Sequence, residues 1–141
     1  MRPPPALLWQ AACNGFSPKV QRLLEEGAVV DAKCEGGWTA LFGAILSGHY
    51  FTVKLLLDKG ADFNFKTVLG ATPLHAAANG GHHAIISMLL DKGAYVNAET
   101  NGLQTPLHGA AVGGHDAAVK LLLERGARAH TRTHDGYTKS P

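Results

Sequence analysis

Residues 70–98 read GATPLHAAANGGHHAIISMLLDKGAYVNA, and this stretch decides the fold. Thr72-Pro73 is a helix start: a threonine N-cap accepts a hydrogen bond from an early backbone N–H, and proline at the first helical position has none to satisfy. The segment that follows is alanine-rich at Ala76-Ala77-Ala78, which suits a backbone that approaches its neighbours closely. Gly80-Gly81 end it, because glycine accepts the left-handed conformation found at helix C-termini. A second helix carries Ile85, Ile86, Met88, Leu89 and Leu90, and Gly93 ends that one. Its apolar side chains cover more than one face, so it must be packed on several sides. A single helical pair cannot do this, but a stack of pairs can.

The stack is written in the sequence as a period of 33 residues. Gly27, Gly60, Gly93 and Gly126 share one frame, each followed by alanine, and Gly15, Gly48, Gly81 and Gly114 share another. The leucine pairs ending at Leu24, Leu57, Leu90 and Leu123 fall in register, as do Thr39, Thr72, Thr105 and Thr138. The 141 residues close as four units of 33 and a nine-residue remainder. A fixed period of this length outranks any reading made one element at a time.

Composition bounds the function. Hydrophobic residues make up 45% of the chain and charged residues 17%, with 13 Lys and Arg against 11 Asp and Glu. That is one ordinary domain, long enough to bury a core without disulfides or a structural metal. The charges are scattered and nearly balanced, so no long-range field favours a phosphate backbone or an anionic membrane; neither nucleic acid nor a membrane is expected as partner. The opening MRPPPALLWQAAC has too short an apolar segment for a secretory signal. A cytoplasmic or nuclear location with Cys13 and Cys34 reduced is therefore expected.

Residues 70–98 match the G-x-TPLH-x-AA-x-x-GH and LL-x-x-GA-x-V-N pattern almost throughout, and the chain resembles the ankyrin repeat family over essentially its whole length. The resemblance implies an all-α repeat solenoid of helix-turn-helix units with β-hairpin fingers. It assigns a single domain over 1–141: an N-terminal capping repeat 1–33, repeats at 34–66, 67–99 and 100–132, and the start of an incomplete fifth at 133–141. Three departures stand out. Repeat one has Ala6-Leu7-Leu8-Trp9 in place of TPLH. Repeat two has Ala40 for the proline and Phe42 for the histidine, losing a polar tether. Repeat four has Leu103 where the finger glycine is expected, which predicts a distorted finger. No polar outer face caps the last unit, as a solenoid end requires. The chain is accordingly expected to be a piece of a longer protein or to have an end that a partner covers.

Eight histidines raise the question of a metal. The resemblance accounts for His75 and His108 as TPLH histidines that tie finger to helix, and for His49, His82 and His115 as the GH histidines opening the second helices. With no CxxC pair and none of the nucleophile-elbow, phosphate-loop or HExxH patterns, no metal, cofactor or enzymatic activity is expected.

What the resemblance does imply is a partner. In the family, contacts come from finger tips and first helices, which by position gives Trp38 and Leu46; Val68, Leu69 and Asn79; Asn101, Gln104 and Val112; and His134 and Tyr137. Several are apolar where exposure is expected, a composition suited to a protein-binding core with aromatic anchors. The bland alternative has Trp38 lying over its neighbour's finger and Leu46 filling a groove between first helices. The expected function is a protein-protein interaction module or scaffold presenting a concave surface. A second reading takes Asn64, and after it Asn97, as substrates of an asparagine hydroxylase, since LLDKGADFN resembles modified ankyrin sites. A third makes the chain a structural spacer. A monomer is expected, with weak self-association through the uncapped end as the alternative.

Overall fold

The computed structural model describes residues 1–129, 131–132 and 138–139. Eight helices alternate short and longer: α1 Pro5–Cys13, α2 Ser17–Glu25, α3 Ala40–Leu46, α4 Tyr50–Asp58, α5 Pro73–Asn79, α6 His83–Lys92, α7 Pro106–Val112 and α8 Asp116–Glu124. Two short strands, β1 Thr131–Arg132 and β2 Thr138–Lys139, pair antiparallel with Thr131 opposite Lys139. This is an all-α repeat fold. The connections at 34–38, 67–71 and 100–104 contain no strands. The chain divides into two compact units, Met1–Phe63 and Asn64–Pro141.

In unit 1, α1 packs on α3, each is hairpinned to its second helix, and α2 meets α4. The core is Leu8, Val20, Leu41, Phe42, Ile45, Val53 and Leu56, all at or below 1% exposure. Unit 2 repeats the arrangement with α5 on α7 and α6 against α8, around Leu74, Ile85, Ile86, Leu89 and Leu122. Fully buried alanines at 12, 44, 77, 78 and 110 bring the first helices together. Two glycines on these helices go further. A Cβ on Gly43 would lie 2.7 Å from Cys13 Sγ and 3.1 Å from the Trp9 ring, and one on Gly109 would collide with Asn79 Oδ1. At both positions the missing side chain makes room for a residue of the preceding repeat.

The helix starts show what the TPLH motif contributes. Thr72 Oγ1 accepts from the His75 backbone N–H, and His75 Nδ1 accepts from the Thr72 backbone N–H at 3.1 Å. Thr105 and His108 form the same reciprocal box at α7. In repeat two Phe42 fills the histidine position, edge-on to Trp38 with ring centroids 5.4 Å apart. Thr39, 1% exposed, is left with Oγ1 unpaired among the described residues. Threonine here therefore carries an unmet desolvation cost that an isosteric apolar residue lacks. Thr39→Val should leave stability unchanged or raise it by up to about 1 kcal/mol, while Thr72→Val should lose about 1–2 kcal/mol. Urea denaturation of the two variants checks the contrast, and equal losses would contradict it.

Candidate functional site

The site grows from the connections at 67–71 and 100–104. Thr67 N–H donates to Ala71 O at 2.9 Å and Gly70 N–H to Thr67 O at 2.8 Å, while Thr67 Oγ1 accepts from Ala71 N–H. Thr100, Leu103 and Gln104 repeat each of these bonds. The finger of repeat four is thus not distorted, contrary to the expectation from Leu103. Its strain is taken up locally: Leu103 adopts φ 63°, where the equivalent Gly37 and Gly70 have 81° and 83°. For a branched side chain that conformation costs about 1–2 kcal/mol. In repeat two Cys34 replaces the threonine, and its thiol turns to Glu35 O at 3.5 Å.

The two fingers of unit 2 are bolted together. Asn101 N–H donates to Leu69 O at 2.9 Å and Asn101 Nδ2 to Val68 O at 3.1 Å. Val68 and Leu69 are held in place this way while their side chains stay 88% and 73% exposed. On the helix side, His75 Nε2 donates to Gln104 O at 2.9 Å, tying finger 100–104 to α5. Since Nδ1 is occupied as an acceptor, the ring is the neutral Nε2–H tautomer. Its pKa is pushed below the ordinary value of 6.5, first by burial and then, less, by the Lys66 and His108 charges, against the Gln104 and Ala98 carbonyls that raise it.

Between these elements lies a cleft of about 470 Å³. Leu69 and Val112, the latter 85% exposed, form its apolar walls. Asn79, Asn101 and Gln104 supply amides, and the buried His75, Thr105 and His108 also line it. Among the described residues no Asp, Glu, Lys or Arg does. The structure brings Leu69, Asn79, Asn101, Gln104 and Val112 together here, with Val68 on the adjoining tip. In unit 1, Trp38 is half-buried against Phe42 and Leu46 is exposed. His134 and Tyr137 lie outside the described residues.

Of the asparagines singled out for modification, Asn64 is exposed and Asn97 is half-buried; the Asn97 amide donates to Gly126 O and accepts from Arg128 N–H. Asp31 holds the same repeat position and accepts from Asp62 N–H at 2.9 Å. The GH histidines staple adjacent repeats: His49 Nε2 bonds Cys13 O at 3.0 Å and His115 Nε2 bonds Asn79 O at 2.9 Å. Cys13 and Cys34 are free thiols, and burial, with a lesser contribution from Cys34, pushes the Cys13 thiol up. Sequence reasoning missed one feature: Tyr50 and Phe51 stand exposed at the start of α4 in edge-to-face contact, at positions where the repeat pattern sets no residue type.

The reciprocal Thr-His boxes and the fingers recur at a 33-residue spacing and the histidine staples at His49 and His115 at twice that, and the family model described as ankyrin repeats (3 copies) matches residues 4–67 and 63–133. The chain belongs to the ankyrin-repeat family. No curated protein matches it. Ankyrin repeats are generally protein-interaction modules and typically not enzymes. Among the described residues no helix of this ankyrin-repeat chain is long and apolar enough to cross a membrane.

Proposed function

We propose that this ankyrin-repeat chain is a protein-protein interaction module, or scaffold, and that in unit 2 its partner seats in the cleft between Leu69 and Val112. The observation that carries this reading is the pairing of exposed aliphatic side chains with a backbone fixed by Asn101 and His75. Apolar groups already held in place lose little entropy on docking, so their burial converts efficiently into affinity. Trp38 and Leu46 are proposed as contacts of unit 1. Trp38 has a structural share as well, since it lies against Phe42. The fingers are proposed to serve as the β-hairpin equivalents of the family, each closed by a turn rather than a ladder. His134 and Tyr137, outside the described residues, are proposed as contacts in the same reading.

The test is affinity capture from cell lysate by the immobilised chain, beside a Leu69→Asp, Val112→Asp variant. Both residues are so exposed that the variant should give the same circular dichroism. Proteins held by the original and lost by the variant support the reading; identical captures from both overturn it. Hydroxylation is a second reading, favoured at Asn64 by its exposure, Asn97 being half-buried. Mass spectrometry of the chain after the same lysate incubation reads it as a gain of one oxygen atom on the peptide containing Asn64.

A further inference from the structure

The geometry points to an extended, uncharged peptide segment as the occupant of the unit 2 cleft, with an aliphatic side chain lodged between Leu69 and Val112. This rests on the cleft being the partner's seat. Three features select the occupant. First, among the described residues none that lines the cleft carries a formal charge, and His75 is held neutral by its hydrogen bonds. A charge brought into the cleft would lose its water without gaining a counter-charge, which is strongly unfavourable.

Second, the side-chain amides of Asn79 and Gln104 make no hydrogen bond within the chain among the described residues, whereas Asn101 spends its amide nitrogen on Val68 O. Each free amide offers both a donor and an acceptor on one planar group. The natural complement is a peptide backbone that presents N–H and C=O outward, as an extended chain does and a helix does not, because a helix satisfies these groups internally. A helix laid in the cleft could meet both amides only with its side chains, since its backbone groups are already paired.

Third, the large apolar side chains that line the cleft, Leu69 and Val112, are aliphatic and not aromatic. An extended strand turns alternate side chains to opposite faces, so one aliphatic residue can enter between Leu69 and Val112 while its neighbours point outward.

The experiment is selection of a displayed library of short random peptides on the whole chain, followed by titration of the selected peptides at low and high salt. Leu69→Asp, Asn79→Ala and Gln104→Ala serve as variants; all three side chains are exposed, and matching circular dichroism confirms their folds. Selected peptides with an uncharged, aliphatic core should bind each variant about tenfold or more weakly, or about 1.4 kcal/mol, with little salt dependence. Peptides that lose binding to Leu69→Asp, yet carry a charged core, depend steeply on salt or ignore both amide variants, would overturn this inference and leave the cleft as the seat. If no selected peptide responds to Leu69→Asp, the seat itself is wrong and the inference falls with it.

Discussion

Replacing Gly81 with alanine should destabilise the chain by about 3 kcal/mol, while the same replacement at Gly114 should cost only about 1 kcal/mol. The two glycines hold the same repeat position and nearly the same backbone, φ 67° and 72°, so the left-handed penalty is common to both. They differ in what lies above them. A Cβ on Gly81 would be 2.5 Å from His115 Nδ1 and 2.6 Å from its Cγ, whereas one on Gly114 would have nothing among the described residues within 4 Å. The imidazole cannot simply swing away, because its Nε2 is bonded to Asn79 O at 2.9 Å. Relieving the overlap therefore means breaking the staple between neighbouring repeats. Urea denaturation measures both losses. In a His115→Ala background the extra cost at Gly81 should vanish, leaving the two alanine substitutions equal. If they are already equal with His115 present, the packing of this ring is not what fixes Gly81. Gly15 offers a replicate in unit 1, since its Cβ would lie 2.7 Å from His49 Nδ1.

That comparison also shows what periodicity can and cannot tell. Glycine every 33 residues announced a helix end, and Gly15, Gly48, Gly81 and Gly114 all have positive φ. The reason for glycine at 15 and 81 is a histidine ring from the next repeat, a contact between residues 34 apart that no local pattern encodes. The same limit explains Leu103. Read locally, a leucine in place of the finger glycine predicts distortion; in the structure, the hydrogen bonds at Thr100 and the grip of Asn101 on the adjoining finger hold the turn, and the leucine conforms. Asn101 was legible as a tip residue, but not as the donor that fixes Val68 and Leu69. The loss at Phe42 was legible as a missing tether, yet only the structure shows Thr39 Oγ1 stranded and Trp38 set edge-on against the replacement ring. Residue types at variable positions record which side chains are available. Which of them are spent on neighbouring repeats is decided by packing, and the free amides of Asn79 and Gln104 emerge only once those of Asn97 and Asn101 are seen to be engaged.

His75→Ala should cost about 3 kcal/mol and should also flatten the chain's response to acid. The energy comes from both ring nitrogens. Nδ1 accepts from the Thr72 backbone N–H, and Nε2–H donates to Gln104 O, so alanine leaves a buried N–H and a carbonyl without their partner and costs the Thr72 hydroxyl its bond to the ring, though its oxygen still accepts from the backbone N–H of residue 75. The pH dependence follows from the same arrangement. Burial lowers the folded-state pKa beneath the ordinary 6.5, with Lys66 and His108 adding to the effect. Between the two values the unfolded chain binds the proton and the folded chain does not, so stability rises with pH. The contribution is complete above pH 6.5 and is lost as pH falls toward the depressed folded value. A proton on Nδ1 would leave the Nε2–H bond to Gln104 intact but set N–H against N–H at Thr72, so acid should open the start of α5 before it frees the finger. Denaturation midpoints between about pH 7.5 and 5 should fall more steeply for the original chain than for His75→Ala, the difference isolating this imidazole from the other histidines. Parallel curves would mean that His75 is not the group that titrates. Convergence at low pH would show that protonating the ring removes the same contribution that alanine removes, so the box at Thr72 holds only while His75 is neutral.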